Sequence, residues 1–165
     1  MAGEGTGHID MFAKFTSHDT VMVGRYDTNV DPANAAILDR NAERLGAIRL
    51  ADGSPLRVIR IPMPDPTYPV YRSYTNSLIV NGQVIIPTYP SDRAHEAEAI
   101  AAYRQAFGSE YELISLDADQ VIQLGGAVHC TTMGFSLDPL NAGSGSSGPI
   151  TVPEEGATEP TATPY

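Results

Sequence analysis

The sequence predicts an α/β fold assembled from a repeated strand–strand–helix–strand unit. Three observations carry that prediction. The same order of patterns is traversed twice: IDMFAKF, TVMVGRYD, DPANAAILDRNAERLG and LRVIRIPMP, then YTNSLIV, QVIIPTYP, SDRAHEAEAIAAYRQAFG and YELISLD. Each helical stretch carries its own start or stop signals, and the second pair of strands is joined by Asn81-Gly82, a dipeptide suited to the positive φ angles of a tight hairpin turn. Repeats of this kind shield one another's apolar faces, so two units and the start of a third make an incomplete array.

Element by element, the first unit opens with the strand pattern IDMFAKF, followed by the strand pattern TVMVGRYD. Asp31 is the expected N-cap of the first helix, Pro32 occupies its first position, and Gly46 is the expected stop. Ala33, Ile37, Leu38, Ala42 and Leu45 recur at helical spacing and define the buried face. RVIRI closes the unit as a strand. In the second unit YTNSLIV and QVIIP form the hairpin, and Ile100, Tyr103 and Phe107 mark the buried face of the second helix, stopped by Gly108. YELISL is expected as a buried or half-buried strand. From Gly143 onward the composition shifts to Gly, Ser, Pro, Thr and Glu. Such a segment has too little to bury to offset its ordering entropy. The expected organisation is therefore one domain over 1–140 and a flexible tail or linker over 141–165, and the abrupt start implies a front half that belongs before it.

Composition excludes several classes. With 42% apolar and 18% charged residues the 165-residue chain has a globular balance. A net charge of −10 with no basic run argues against nucleic acid as a partner. No apolar stretch reaches the length of a membrane span, and the N-terminus lacks the regions of a signal peptide. A single cysteine, Cys130, forms no internal disulfide.

Three polar clusters, GTGHID, YRSYTNS and GGAVHC, stand at corresponding points of successive units, ahead of the first strand of each. A radial arrangement of the units would bring His8, Asp10, Asn76, His129 and Cys130 together. Taken singly, each has an ordinary structural explanation: Cys130 as a small buried residue, His8 and Asp10 as a pair on one side of a strand, Asn76 as a turn residue. GTG follows no strand and opens no helix, so it is not a phosphate loop. Zinc ligation by His8, Asp10, His129 and Cys130 is open, although no paired CxxC or HxxxH spacing supports it. If the clusters converge, the residue types suit covalent chemistry on a cation. A thiolate is a strong nucleophile, a histidine activates it and moves protons, and a carboxylate accepts a guanidinium in a bidentate pair.

At these residues the chain resembles the guanidine-modifying superfamily, and within it the branch joining agmatine deiminases with bacterial peptidylarginine deiminases. The segments GHIDMFAKF, YRSYTNSLIVNGQVIIP and GGAVHCTTM are similar to the family's histidine, asparagine and cysteine motifs, in the family's order. The resemblance covers roughly residues 3–137 and only the C-terminal half of the family. It implies a partial α/β-propeller (pentein-type) of ββαβ modules, about two modules plus a closing stub. It implies further that Cys130 is the nucleophile, His8 the general acid/base and Asp10 the carboxylate holding the guanidinium. Asn76 and Gly126 are implied to line the substrate site, and His129 is given no catalytic role. No cofactor is implied. The family's second guanidinium-binding aspartate lies in a Trp/Arg/Asp-type motif, and this chain contains no tryptophan.

The reading that follows is hydrolysis of a guanidinium C–N bond in agmatine or an arginine side chain, impaired in a truncated chain. An amidinotransferase, or an inactive fragment acting as a binding module, are the alternatives, with a thiol protease behind them. The expected partners are a small guanidino substrate or an arginyl peptide, with self-association or a complementing N-terminal half. The compartment would be cytoplasmic for the agmatine branch and extracellular for the peptidylarginine branch.

Overall fold

A computed structural model describes residues 1–133 of the 165-residue chain. The expected tail over 141–165 lies outside the described residues. The fold is α/β. The first unit comprises β1 (Ala13–Phe15), β2 (Thr20–Arg25), α1 (Pro32–Gly46) and β3 (Arg57–Pro62). The second comprises β4 (Leu78–Val80), β5 (Gln83–Thr88), α2 (Glu96–Phe107) and β6 (Glu112–Asp117). Short 3-10 turns at Ile9–Met11, Val121–Leu124 and His129–Thr131 flank them.

The two units share one topology. β1 runs antiparallel to β2, with Ala13 opposite Val23, and β2 runs parallel to β3, with Thr20 opposite Arg57. In the second sheet Leu78 lies opposite Ile85 in the antiparallel pair, and Gln83 opposite Glu112 in the parallel pair. A helix between the parallel strands makes the crossover that parallel pairing requires.

The first sheet is covered on both faces. Val21 and Val23 of β2 pack with Ala42 of α1 and Leu56. Met22, on the opposite side of the same strand, joins Ile59 and Ile61 in a core shared with Ala99, Ala102, Tyr103 and Phe107 of α2 and with Val84 and Ile86 of β5. The helix of the second unit thus lies between the two sheets. This explains the unbroken apolar run of β2, since a strand buried on both faces has no solvent side to mark with polar residues. Burying each such side chain contributes about 1.5–3 kcal/mol. β6, expected as a buried or half-buried strand, contrasts with β2: Leu113 and Ile114 are half-buried, and Leu116 is 48% exposed. As an edge strand it pairs on one side, with β5, in the described sheet.

Local chemistry fixes the ends. The Asp31 side chain accepts from the Asn34 backbone N–H at 2.9 Å, and Pro32 begins α1. Gly46 is the last residue of α1 rather than its left-handed stop, because Ala47 caps the helix in right-handed geometry. The buried face of α1 also differs from expectation. Ala33 is exposed, whereas Asn34 and Ala35 are buried, because Asn34 bonds to the Ala2 backbone at 2.7 and 3.1 Å and to Asp31. Asn81 and Gly82 take φ angles of +49° and +76°, and Gly108 ends α2 at +60°. The first strands of both units are shorter than expected. Ile9–Met11 is a 3-10 turn, and residues 73–77 lie before β4. Among the described residues no helix is long and apolar enough to cross a membrane.

Candidate active site

The site rests on a buried floor. Ser73, Tyr74, Thr75, Asn76 and Ser77 all have 0% exposure, and backbone buried so completely needs partners for every polar group. Two core tyrosines supply several of them. The Tyr89 hydroxyl accepts from the Ser73 N–H at 3.0 Å and donates to the Ser73 carbonyl at 2.9 Å. The Tyr103 hydroxyl donates to the Tyr74 carbonyl at 2.8 Å and lies 2.7 Å from Ser77 Oγ. Burial pushes both phenols well above the ordinary tyrosine range, so they remain protonated.

Asn76 is the hub of this floor. Its Oδ1 accepts from the backbone N–H groups of Ala127 (3.0 Å) and Cys130 (3.3 Å), and its carbonyl accepts from the His129 N–H (3.1 Å). Its Nδ2 donates to Asp10 Oδ2 at 2.8 Å and to Cys130 Sγ at 3.0 Å. One amide therefore holds the segments that carry Asp10 and Cys130, which lie 120 positions apart in sequence. Thr75 Oγ1 adds a bond to the Asp10 carbonyl at 3.0 Å.

Above the floor, Cys130 sits on the 3-10 turn His129–Thr131 and is exposed. The approach to it depends on glycine. A Cβ on Gly126 would meet Cys130 Cβ at 2.4 Å and Sγ at 2.8 Å. Gly125, at φ +92°, ends the preceding turn. Asp10 Oδ2 receives His129 Nδ1 at 2.6 Å and Cys130 Sγ at 3.3 Å in addition to Asn76. Ligating atoms of His8, Asp10 and Cys130 all lie within 4.8 Å of one another. They open into a cleft of about 530 Å³ whose lining includes Thr6, Gly126, His129 and Thr131.

The electrostatics place the proton on sulfur. Burial opposes ionisation of Asp10, but hydrogen bonds from His129 and Cys130 and the nearby imidazoles outweigh it, holding the carboxyl below its ordinary value. Cys130 is pushed the other way: burial raises its pKa, and the hydrogen bond and negative charge of Asp10 raise it further against the opposing bond from Asn76. A cation placed against Asp10 would relieve that effect. Burial lowers the Lys14 pKa, while the negative charges of Asp10 and Cys130 oppose the change; its amine donates to the Ser77 carbonyl.

His8, Asp10, Asn76, His129 and Cys130 thus meet, as the repeat suggests, with Gly126 beside Cys130, and the structure adds three details. His8 and Asp10 lie on and beside a 3-10 turn rather than on a strand, because β1 begins only at Ala13. Asn76 lies beneath the cleft and not on its wall, since its side-chain amide is taken up by the protein. His129 is no bystander to the cysteine motif, because its ring contacts Asp10. Lys14 has no counterpart among the residues the sequence singles out. Its one signal is a charged residue in an otherwise apolar strand.

Residues 2–135 match the Porphyromonas-type peptidyl-arginine deiminase family. The agmatine deiminase of Pseudomonas aeruginosa (strain LESB58) is 30% identical, over 78% of this chain and 40% of that protein. A Porphyromonas gingivalis crystal structure, provisionally named an arginine deiminase, superposes with a TM-score of 0.71 at 32% identity, covering 82% of this chain and 40% of its own. The agmatine deiminase of C. jejuni shares the fold, with a TM-score of 0.61 at 20% identity over 74% of this chain and 37% of that one. The chain spans about 40% of the length of the curated relatives it matches. Given that match over most of its length, the chain belongs to the Porphyromonas-type peptidyl-arginine deiminase family.

Proposed function

We propose that this chain carries the nucleophile side of a guanidine deiminase site, which hydrolyses a guanidinium C–N bond in agmatine or an arginine side chain to a ureido product and ammonia. The supporting observation is the convergence of His8, Asp10 and Cys130 within 4.8 Å on an open cleft. In this reading the two ββαβ modules are part of an α/β-propeller whose loops converge on that cleft.

The cation does part of the work. A guanidinium offers a planar fork of N–H donors that a carboxylate accepts in two parallel bonds. Bound against Asp10, it offsets the charge that keeps the Cys130 proton in place, so the thiolate forms when substrate is present. The Cys130 proton passes to His8, Sγ attacks the guanidino carbon, and a C–S bond forms as the carbon–nitrogen π bond opens. His8 gives a proton to the departing nitrogen, the C–N bond breaks, and ammonia leaves an S-amidino intermediate. Neutral His8 next takes a proton from water, which adds to the same carbon. The C–S bond breaks, thiolate returns, and the ureido product departs. Asn76 holds Asp10 and Cys130 in register, Gly126 leaves room beside the sulfur, and His129 orients the Asp10 carboxylate. Asp10 is the carboxylate in the cleft lining, and a second one would complete a guanidinium cage.

The test is ureido-product formation from agmatine, free arginine and an arginyl peptide, with Cys130→Ala as control. Product that disappears in the control supports the reading, and the preferred substrate assigns the branch. Product that persists in Cys130→Ala excludes Cys130 as the nucleophile. A folded chain that forms none shows that one carboxylate and this cleft are insufficient for turnover.

A further inference from the structure

The same three side chains have a second chemistry. We propose that His8, Asp10 and Cys130 form a binding site for a soft divalent cation of the Zn²⁺ type, which excludes a guanidinium from the cleft and so silences the site reversibly. The binding itself is independent of the deiminase reading, whereas the competition with substrate rests on it.

The donor set is imidazole, carboxylate and thiolate, the ligands that suit zinc, and three protein ligands with one position left to solvent is a common open arrangement. Zinc–sulfur and zinc–oxygen bonds of about 2.3 and 2.0–2.2 Å at the tetrahedral angle put sulfur and oxygen about 3.5 Å apart. Cys130 Sγ and Asp10 Oδ2 stand 3.3 Å apart, already close to that edge. All the ligand atoms lie within 4.8 Å, so the site needs a small closure. His8 is free to make it, being exposed and without a side-chain hydrogen bond among the described residues.

Two further features point the same way. Asn76 and His129 also meet Asp10 Oδ2, and both bonds can stay to orient that oxygen when a metal replaces the Cys130 proton. His129 meets the carboxylate at 2.6 Å, as an outer partner that orients a ligand and tunes its basicity. The balance is simple. The Cys130 S–H proton goes to solvent, a metal–sulfur bond takes its place, water leaves the aquo ion, and no electron is transferred. Metal and guanidinium are thus alternative cations for one anionic pair, and the sequence gives no CxxC or HxxxH spacing because the ligands come from two segments brought together by Asn76.

The experiment titrates the full chain with Co²⁺ alone and reads the thiolate-to-cobalt charge-transfer band and the visible bands of tetrahedral cobalt, followed by displacement with Zn²⁺. Expected are both bands and their loss in Cys130→Ser, which preserves shape. His8→Ala should weaken binding by more than the roughly 10–100-fold cost of losing an outer partner, and His129→Ala by about that much. His95→Ala, which removes a surface histidine 3.2 Å from Asp65, should change nothing. Circular dichroism confirms that each variant is folded. Absence of the thiolate band in folded protein, or equal affinity in Cys130→Ser, overturns the site. Agmatine or an arginyl peptide that releases the cobalt supports mutual exclusion, and metal retained at saturating substrate overturns it. Bands present in a chain that forms no ureido product support the metal site while counting against the deiminase reading alone.

Discussion

Gly5–Asp10 and Ser73–Ser77 occupy the same place in successive modules, just ahead of the first strand, yet they live in opposite environments. The first segment is mainly solvent-facing, with Ile9 69% exposed, while every residue of the second has 0% exposure. The reason is position between neighbours: the second segment lies under Tyr89 and Tyr103 of the shared core, and the first lies at its margin. Equivalent loops have thereby taken different work. One forms a buried platform held by the hydroxyls of Tyr89 and Tyr103. The other presents His8 and Asp10 to the cleft. Mounting exposed reactive groups on a buried floor keeps them accessible without leaving their geometry to loop motion.

The comparison makes variants in the exposed segment change chemistry and variants in the floor change stability. The largest effect expected is His8→Ala. In active protein it should lower turnover by 10²–10⁴-fold, about 3–5 kcal/mol of barrier, while the urea midpoint stays within about 0.5 kcal/mol of the parent. A large loss of stability there would break the comparison. Asn76→Ala reverses the pattern. It removes the acceptor for the Ala127 and Cys130 N–H groups, and at about 1–3 kcal/mol per orphaned group it should cost about 2–4 kcal/mol in a denaturation curve. Tyr103→Phe, which withdraws one buried hydroxyl from Tyr74 and Ser77, should cost about 1–3 kcal/mol.

Asp10→Asn is expected to be smaller in stability and distinct in sign. Removing the charge that raises the Cys130 pKa should speed iodoacetamide alkylation of the thiol at about pH 8, because more of it is ionised. Slower alkylation would contradict the assigned coupling. Asp10 has a depressed folded-state pKa, so its stabilisation is complete above its unfolded value of 3.8 and is lost as pH falls through the lower folded value. Between about pH 5 and pH 2 the parent should therefore lose more stability than Asp10→Asn. Ile9→Ser closes the series. Its exposed side chain should leave stability within about 0.5 kcal/mol.

Much of the fold was legible in the sequence because its signals are local. The Asn81-Gly82 turn, Asp31 and Pro32 at the start of α1, and Gly108 after α2 each act within a few residues, and each stands where expected. The misreadings arose where a distant partner overrode a local pattern. Asn34 is buried at a position that polarity would assign to solvent, because the Ala2 backbone meets it from 32 residues away. For β6 the pattern left buried and half-buried both open, and the neighbours decided it: Leu113 and Ile114 are half-buried because the strand has little cover. Of the site, the residue types were legible and their supports were not. Asn76 reads as a turn residue until its bonds to Asp10, Ala127, His129 and Cys130 are seen, His129 as a flank of the cysteine motif, and Lys14 as one charge in a strand.

By itself the sequence determined the order of strands and helices, the repeat, and the reactive side chains available, since propensity, caps and periodicity are properties of short windows. Only the tertiary structure decided that Asp10 and Cys130, 120 positions apart, share one hydrogen-bonding amide, and that the proton between them stays on sulfur. Both depend on burial and on distances across the fold, and those quantities come into being only when the modules pack.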